Sequence, residues 1–116
     1  TSDVVVVGSP SYWGDITGQL KVFIDRCLPL CEVSEGRTVV PAGKFGISVA
    51  VRTGRSKEEN EHIVGTIEHF FGHLGITPIT SYMVQQVESP RDLDNKPEIL
   101  DEAYALGRCA AHRLPA

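Results

Sequence analysis

The sequence has little cysteine, few aromatics and no surplus of positive charge. Its three cysteines, Cys27, Cys31 and Cys109, are an odd number without framework spacing. That excludes a disulfide-stapled secreted scaffold and reads as a reduced, cytoplasmic chain. Eleven basic residues stand against fifteen acidic ones, a net charge of −4. There is no basic stripe for nucleic acid and no polybasic patch for an anionic membrane. No apolar run is long enough to cross a bilayer, and no stretch has the signal-peptide pattern. Internal repeats, low-complexity tracts and domain boundaries are also missing, so residues 1–116 read as one domain. What remains is 41% hydrophobic and 22% charged, the profile of a soluble globular protein that buries roughly two-thirds of its unfolded surface.

The apolar pattern alternates between strands and helices. Val4 to Val7 is an unbroken β-branched run between Asp3 and Gly8, which predicts a strand buried on both faces. A Gly/Ser/Pro loop follows, then a helix with Asp15 or Thr17 as N-cap. Ile16, Leu20, Phe23, Ile24 and Cys27 fall on one helical face, and Pro29 marks its end. Residues 32–43 form a polar connection. Phe45 to Val51 predicts a second buried strand. Ser56 and Glu59 have capping-box spacing, and Ile63, Ile67, Phe70, Phe71 and Leu74 form the apolar face of the helix that follows. Gly75 is placed to end that helix in a left-handed conformation. Ile79 to Val84 predicts a third strand, and residues 88–96 a polar loop. Pro97 opens a last helix, whose inner face is Ile99, Ala103, Leu106 and Ala110. The order β-α-β-α-β-α with buried strands implies an α/β fold with a parallel sheet.

In such sheets ligands bind beyond the C-terminal strand ends. Two loops lie there: residues 8–15 and Thr53-Gly54-Arg55-Ser56. The first carries adjacent Tyr12 and Trp13 among small residues. Loop aromatics without a helix or strand face to fill are suited to covering a flat ligand, and small neighbours let backbone N–H groups reach its edge. A flavin ring meets that description, although the same aromatics would also serve to pack under a neighbouring loop.

The stretch Asp3-Val4-Val5-Val6-Val7-Gly8-Ser9-Pro10-Ser11-Tyr12-Trp13-Gly14, followed by Gly18-Gln19-Leu20-Lys21-Val22-Phe23-Ile24-Asp25-Arg26, resembles the NAD(P)H-dependent FMN reductases. Related flavodoxin-like quinone reductases and iron–sulfur flavoproteins share the pattern. The resemblance implies a flavodoxin-like three-layer parallel sheet of order 2-1-3-4-5, of which this chain carries strands 3, 4 and 5 with their helices. It implies an FMN-binding oxidoreductase that passes electrons from NAD(P)H to a flavin, quinone or other small acceptor. Ser9, Pro10, Ser11, Tyr12, Trp13 and Gly14 would contact the isoalloxazine. Thr53, Gly54 and Arg55 would close its other edge, with Arg55 adding positive charge. It also implies a homo-oligomer. The family binds the FMN phosphate at the loop after its first strand, a segment with no counterpart here. An N-terminal β-α-β unit is therefore expected upstream of Thr1, and Val4 to Val7 is expected to be an open apolar edge.

Three other functions fit less well. A flavodoxin-type electron carrier calls for a more acidic docking face than −4 provides. A phosphoacceptor receiver would end its third strand in Asp, where this chain has Gly8-Ser9-Pro10. An inactive remnant of the fold would bind no flavin and serve as a structural module. No residue reads as a catalytic acid or base. His69 and His73 have His-x-x-x-His spacing, but Phe70 stands where a metalloprotease has Glu, and no metal ligand set is expected. Thr53 to Ser56 also reads as a plain helix N-terminus. Iron–sulfur flavoproteins carry their cluster cysteines before the third strand, so Cys27, Cys31 and Cys109 bear on no cluster.

Overall fold

The computed structural model describes residues 2–32 and 37–113. In chain order the elements are β1 (Val4–Pro10), α1 (Gly18–Arg26), β2 (Cys31–Glu32), β3 (Arg37–Thr38), β4 (Phe45–Val51), α2 (Glu58–His73), β5 (Thr77–Val84) and α3 (Pro97–His112). Short 3₁₀ turns cover Leu28–Leu30 and Pro90–Asn95. The main sheet is β1-β4-β5, parallel throughout. β2 and β3 make a small antiparallel ladder within the connection expected to be irregular. The strands run longer than their apolar runs. β1 continues through Gly8, Ser9 and Pro10, and β5 begins at Thr77, because pairing with β4 extends the ladder over polar positions. The β4–β5 register slips between Gly46 and Ile47, opposite Pro78, whose ring nitrogen has no proton to donate.

The core is built mainly by α2 packing on the sheet. Ile63, Ile67, Phe70, Phe71 and Leu74 are all buried, as the periodicity predicts, together with Val7, Ala50 and Ile76. α2 lies close because Gly46 has no side chain: a Cβ there would sit 2.6 Å from the Phe71 ring. The helix ends in a Schellman motif. Ile76 N–H donates to Phe71 O at 3.0 Å and Gly75 N–H to Gly72 O at 3.2 Å, with Gly75 at φ +69°, a conformation glycine adopts without a Cβ penalty.

Several expectations need correction. Val6 is 61% exposed, so β1 is not buried on both faces. It is an edge strand, and one of its faces is left uncovered by the described residues. Ile16 is buried but precedes α1, whose N-cap is Thr17. Phe23 is 53% exposed, although its ring meets Phe70 edge-on at 6.3 Å. Of the rest of that expected face, Leu20, Ile24 and Cys27 pack against the core that Ile16 joins. On α3 only Ala110 is buried, and Ala103 is exposed. Residues 90–95 are not a bare loop: Ser89 and Asp92 form a reciprocal capping box at that 3₁₀ turn. The box foreseen at Ser56 and Glu59 does not form, because Glu59 is engaged elsewhere. α2 starts at Glu58, whose N–H donates to Ser56 Oγ at 3.3 Å.

Candidate functional site at the C-terminal strand ends

β1 and β4 are paired in register as far as Pro10 and Val51, so the segments after them leave the sheet side by side. Ser11 N–H donates to Val51 O at 2.8 Å. A tight turn follows, with Tyr12 N–H donating to Asp15 O at 3.0 Å and Asp15 N–H to Tyr12 O at 3.2 Å. Its two central residues have positive φ, 58° at Trp13 and 79° at Gly14, the mark of a type I′ turn. Glycine adopts this freely. For Trp13 the left-handed conformation costs roughly 1–2 kcal/mol, strain that persists only where the surroundings enforce it. The result is a fully exposed indole beside a Tyr12 side chain that is 58% exposed.

Side chains below the loop hold it. Ser9 is buried, donates to Pro10 O at 2.8 Å and accepts from Thr17 N–H at 3.1 Å. Thr17 Oγ1 accepts from Leu20 N–H at 3.1 Å and caps α1. Ser11 Oγ accepts from Gly14 N–H at 3.2 Å and donates to Glu59 Oε2 at 3.0 Å. Asp15 Oδ1 accepts from Ile16 N–H at 2.8 Å and lies 3.6 Å from His62 Nε2.

The second loop is built over Arg52. Its guanidinium donates from Nη1 to Ser56 O at 2.6 Å and pairs through Nη2 with Glu59 Oε2 at 3.2 Å. A Cβ on Gly54 would fall 2.4 Å from that same Nη2, so glycine is what lets the guanidinium lie beneath the loop. The segment after β5 joins from the other side: Gln86 N–H donates to Gly54 O and Val87 N–H to Arg52 O, each at 3.1 Å. Buried Asn60 on α2 donates from Nδ2 to Val84 O at 3.0 Å. Its Oδ1, like Arg52 Nε, is buried without a partner among the described residues.

On β5 itself, burial and the Glu102 carboxylate push the Tyr82 hydroxyl up to about 12. That hydroxyl lies 2.8 Å from Glu102 Oε2 and 3.0 Å from Ile99 O. The backbone N–H groups of Glu88 and Ser89 both donate to Asp92 Oδ2, at 2.8 and 3.0 Å, and hold its carboxyl below the usual carboxylate range.

The structure thus brings Ser9, Pro10, Ser11, Tyr12, Trp13 and Gly14 together with Thr53, Gly54 and Arg55 along one end of the sheet. Their roles differ. The Ser9 and Ser11 hydroxyls are occupied within the loop, while Tyr12, Trp13, Thr53 and Arg55 are exposed. The backbone N–H groups of Trp13, Thr53, Gly54 and Arg55 have no hydrogen-bond partner among the described residues. An exposed indole, glycines at 14 and 54 and a row of free donors fit a flat ring with acceptors along its edge. Sequence reasoning missed Arg52, Glu59 and Asn60. A polar residue directly after an apolar strand was the available signal for Arg52. Glu59 was hidden by its reading as a capping-box residue.

Away from these loops, a cleft of about 610 Å³ between α1 and α2 is lined by Cys27, Cys31, His69 and His73 among others. The two histidine rings meet edge to face with Nε2 atoms 3.1 Å apart. Among the described residues no group of three His, Cys, Asp or Glu could hold a metal ion. All three cysteines are free, and no described helix is long and apolar enough to cross a membrane.

The model of the flavodoxin-like fold family matches residues 1–106. The chain belongs to that family. It is 36% identical over 78 residues to an iron-sulfur flavoprotein from Archaeoglobus fulgidus, covering 67% of this chain and 32% of that protein. An iron-sulfur flavoprotein from Methanocaldococcus jannaschii is 36% identical over 70 residues, covering 60% of this chain and 33% of its own length. The match therefore spans about a third of the curated relatives. Among solved structures, the Trp repressor binding protein from Bacillus subtilis superposes with a TM-score of 0.70 at 21% identity. It covers 88% of this flavodoxin-like chain and 61% of its own, a likeness of fold.

Proposed function

We propose that this chain supplies one wall of an FMN site in a flavin-dependent oxidoreductase. Electrons pass from NADPH or NADH to a flavin, a quinone or another small acceptor. The observation that carries the reading is the strained type I′ turn that displays Trp13 beyond the end of β1. Membership of the flavodoxin-like family and the two flavoprotein relatives support it. Bound FMN supplies the redox chemistry. The chain's own residues orient and cover it: Tyr12 and Trp13 exclude water from a ring face, and the free N–H groups at 13 and 53–55 hold its edge. Arg55, with Arg52 beneath Gly54, places positive charge where an electron-rich ring is favoured. The full protein acts in the cytoplasm as a homo-oligomer, in which a second copy shields the exposed indole.

The test is an FMN titration followed by quenching of flavin fluorescence. It uses this chain and a longer form carrying a complete flavodoxin-like domain. Quenching by the native sequence and about tenfold weaker binding by Trp13→Ala, the loss of one good stacking contact, is the expected outcome. Failure of both forms to quench overturns the reading.

A further inference from the structure

Glu59 joins two loops that otherwise share only backbone. One carboxylate oxygen, Oε2, accepts from Ser11 Oγ at 3.0 Å and from Arg52 Nη2 at 3.2 Å. On the first side, Ser11 Oγ takes the Gly14 N–H at 3.2 Å. The Glu59 side chain also fills the space against Gly14, with Cγ and Cδ 3.3 Å from where a Cβ would stand. On the second side, the guanidinium holds Ser56 O and underlies Gly54. The Arg52 side chain is only 16% exposed, so its charge needs a partner, and the carboxylate that serves it is anchored on α2. A helical residue packed on the sheet is a far stiffer support than a loop.

We propose that Glu59 is the positioning residue of the site: with Arg52 as counter-ion, it locks the 11–14 turn to the 52–56 loop as one unit. The lock holds Trp13 in its left-handed conformation, and its removal lets the turn relax. Neither Glu59 nor Arg52 need touch the ligand. The proposal rests on the flavin reading only in what the locked loops hold. The lock itself is a property of the chain alone and is measured without ligand.

The direct measurement is ¹⁵N relaxation of the native chain and of Glu59→Ala, Ser11→Ala, the double variant and Glu59→Gln. The Trp13 and Gly14 amides should have order parameters near ~0.85 in the native chain and fall below ~0.6 in Glu59→Ala and in Ser11→Ala. Glu59→Ala should add nothing to Ser11→Ala at Gly14, because the carboxylate reaches the turn through the Ser11 hydroxyl. Glu59→Gln keeps an acceptor for the Ser11 hydroxyl and should restore rigidity at Gly14, while the uncharged amide weakens the pairing with Arg52 and loosens Gly54. A merely structural Glu59 would move the unfolding midpoint and leave this pattern absent. Unchanged order parameters in Ser11→Ala, which deletes one hydroxyl and preserves the fold, overturn the proposal, as do effects of the two substitutions that add. Glu59→Ala should also weaken FMN about tenfold, the loss of one charge-assisted hydrogen bond. Relaxation changes with no FMN binding by this chain or by the longer form would sink the flavin reading and leave the lock standing. FMN binding with native-like relaxation in the variants would do the reverse.

Discussion

At the scale of single residues, the turn at Trp13 sets stability against display of the indole. Its φ of 58° is unfavourable for an aromatic residue, so Trp13→Gly should raise stability by roughly 1 kcal/mol while abolishing the stacking surface. Urea unfolding checks the first effect and FMN quenching the second. A loss of stability would mean that the indole packs against the protein in solution. The exposed position of Tyr12 and Trp13 beyond β1 was legible because the sequence offers them no core to fill. The hidden residues were those whose partners are remote in sequence. Ser11 and Glu59 are 48 positions apart, and no local pattern marks such a contact. Ser9 has a second role that the sequence did not show: its hydroxyl bridges Pro10 O and Thr17 N–H.

At the scale of elements, the apolar periodicity of α2 was a sufficient guide, because one side of that helix is wholly buried and nothing competes with the 3.6-residue pattern. It misled for α1 and α3, where hydrophobic positions exceed the surface available to cover them. Phe23 and Ala103 remain exposed, and periodicity states which residues share a face without stating what that face meets. The contact between β4 and α2 yields a sharp prediction. Gly46→Ala drives a methyl to within 2.6 Å of the fully buried Phe71 ring. Overpacking of this kind costs about 1–3 kcal/mol, read as a lower denaturation midpoint. Phe71→Leu in the same chain should recover part of that loss by vacating the space.

At the scale of the molecule, the sheet has two outer strands, and β1 is one of them. Its exposed Val6 lines one groove with the uncovered Phe23 and Leu30. An open strand edge with apolar surface nearby favours association. Sedimentation of this chain should therefore show concentration-dependent self-association, and Val6→Lys should shift it toward monomer. Equal behaviour of the two would place the contact on another face. The parallel order was readable from alternation alone, whereas the uncovered face of β1 was not, since a run of valines looks the same whether one face or both are packed. The close seat of α2 on Gly46 has a mechanical side as well. α2 carries Phe71 toward one end and Glu59 toward the other, roughly 18 Å apart along a stiff rod, with Ile63 and Ile67 bedded between them. Such a rod rocks rather than bends, so lifting its far end tips the near one. A methyl group wedged under Phe71 would be felt as a misaligned carboxylate against Gly14, at a distance no direct contact could span.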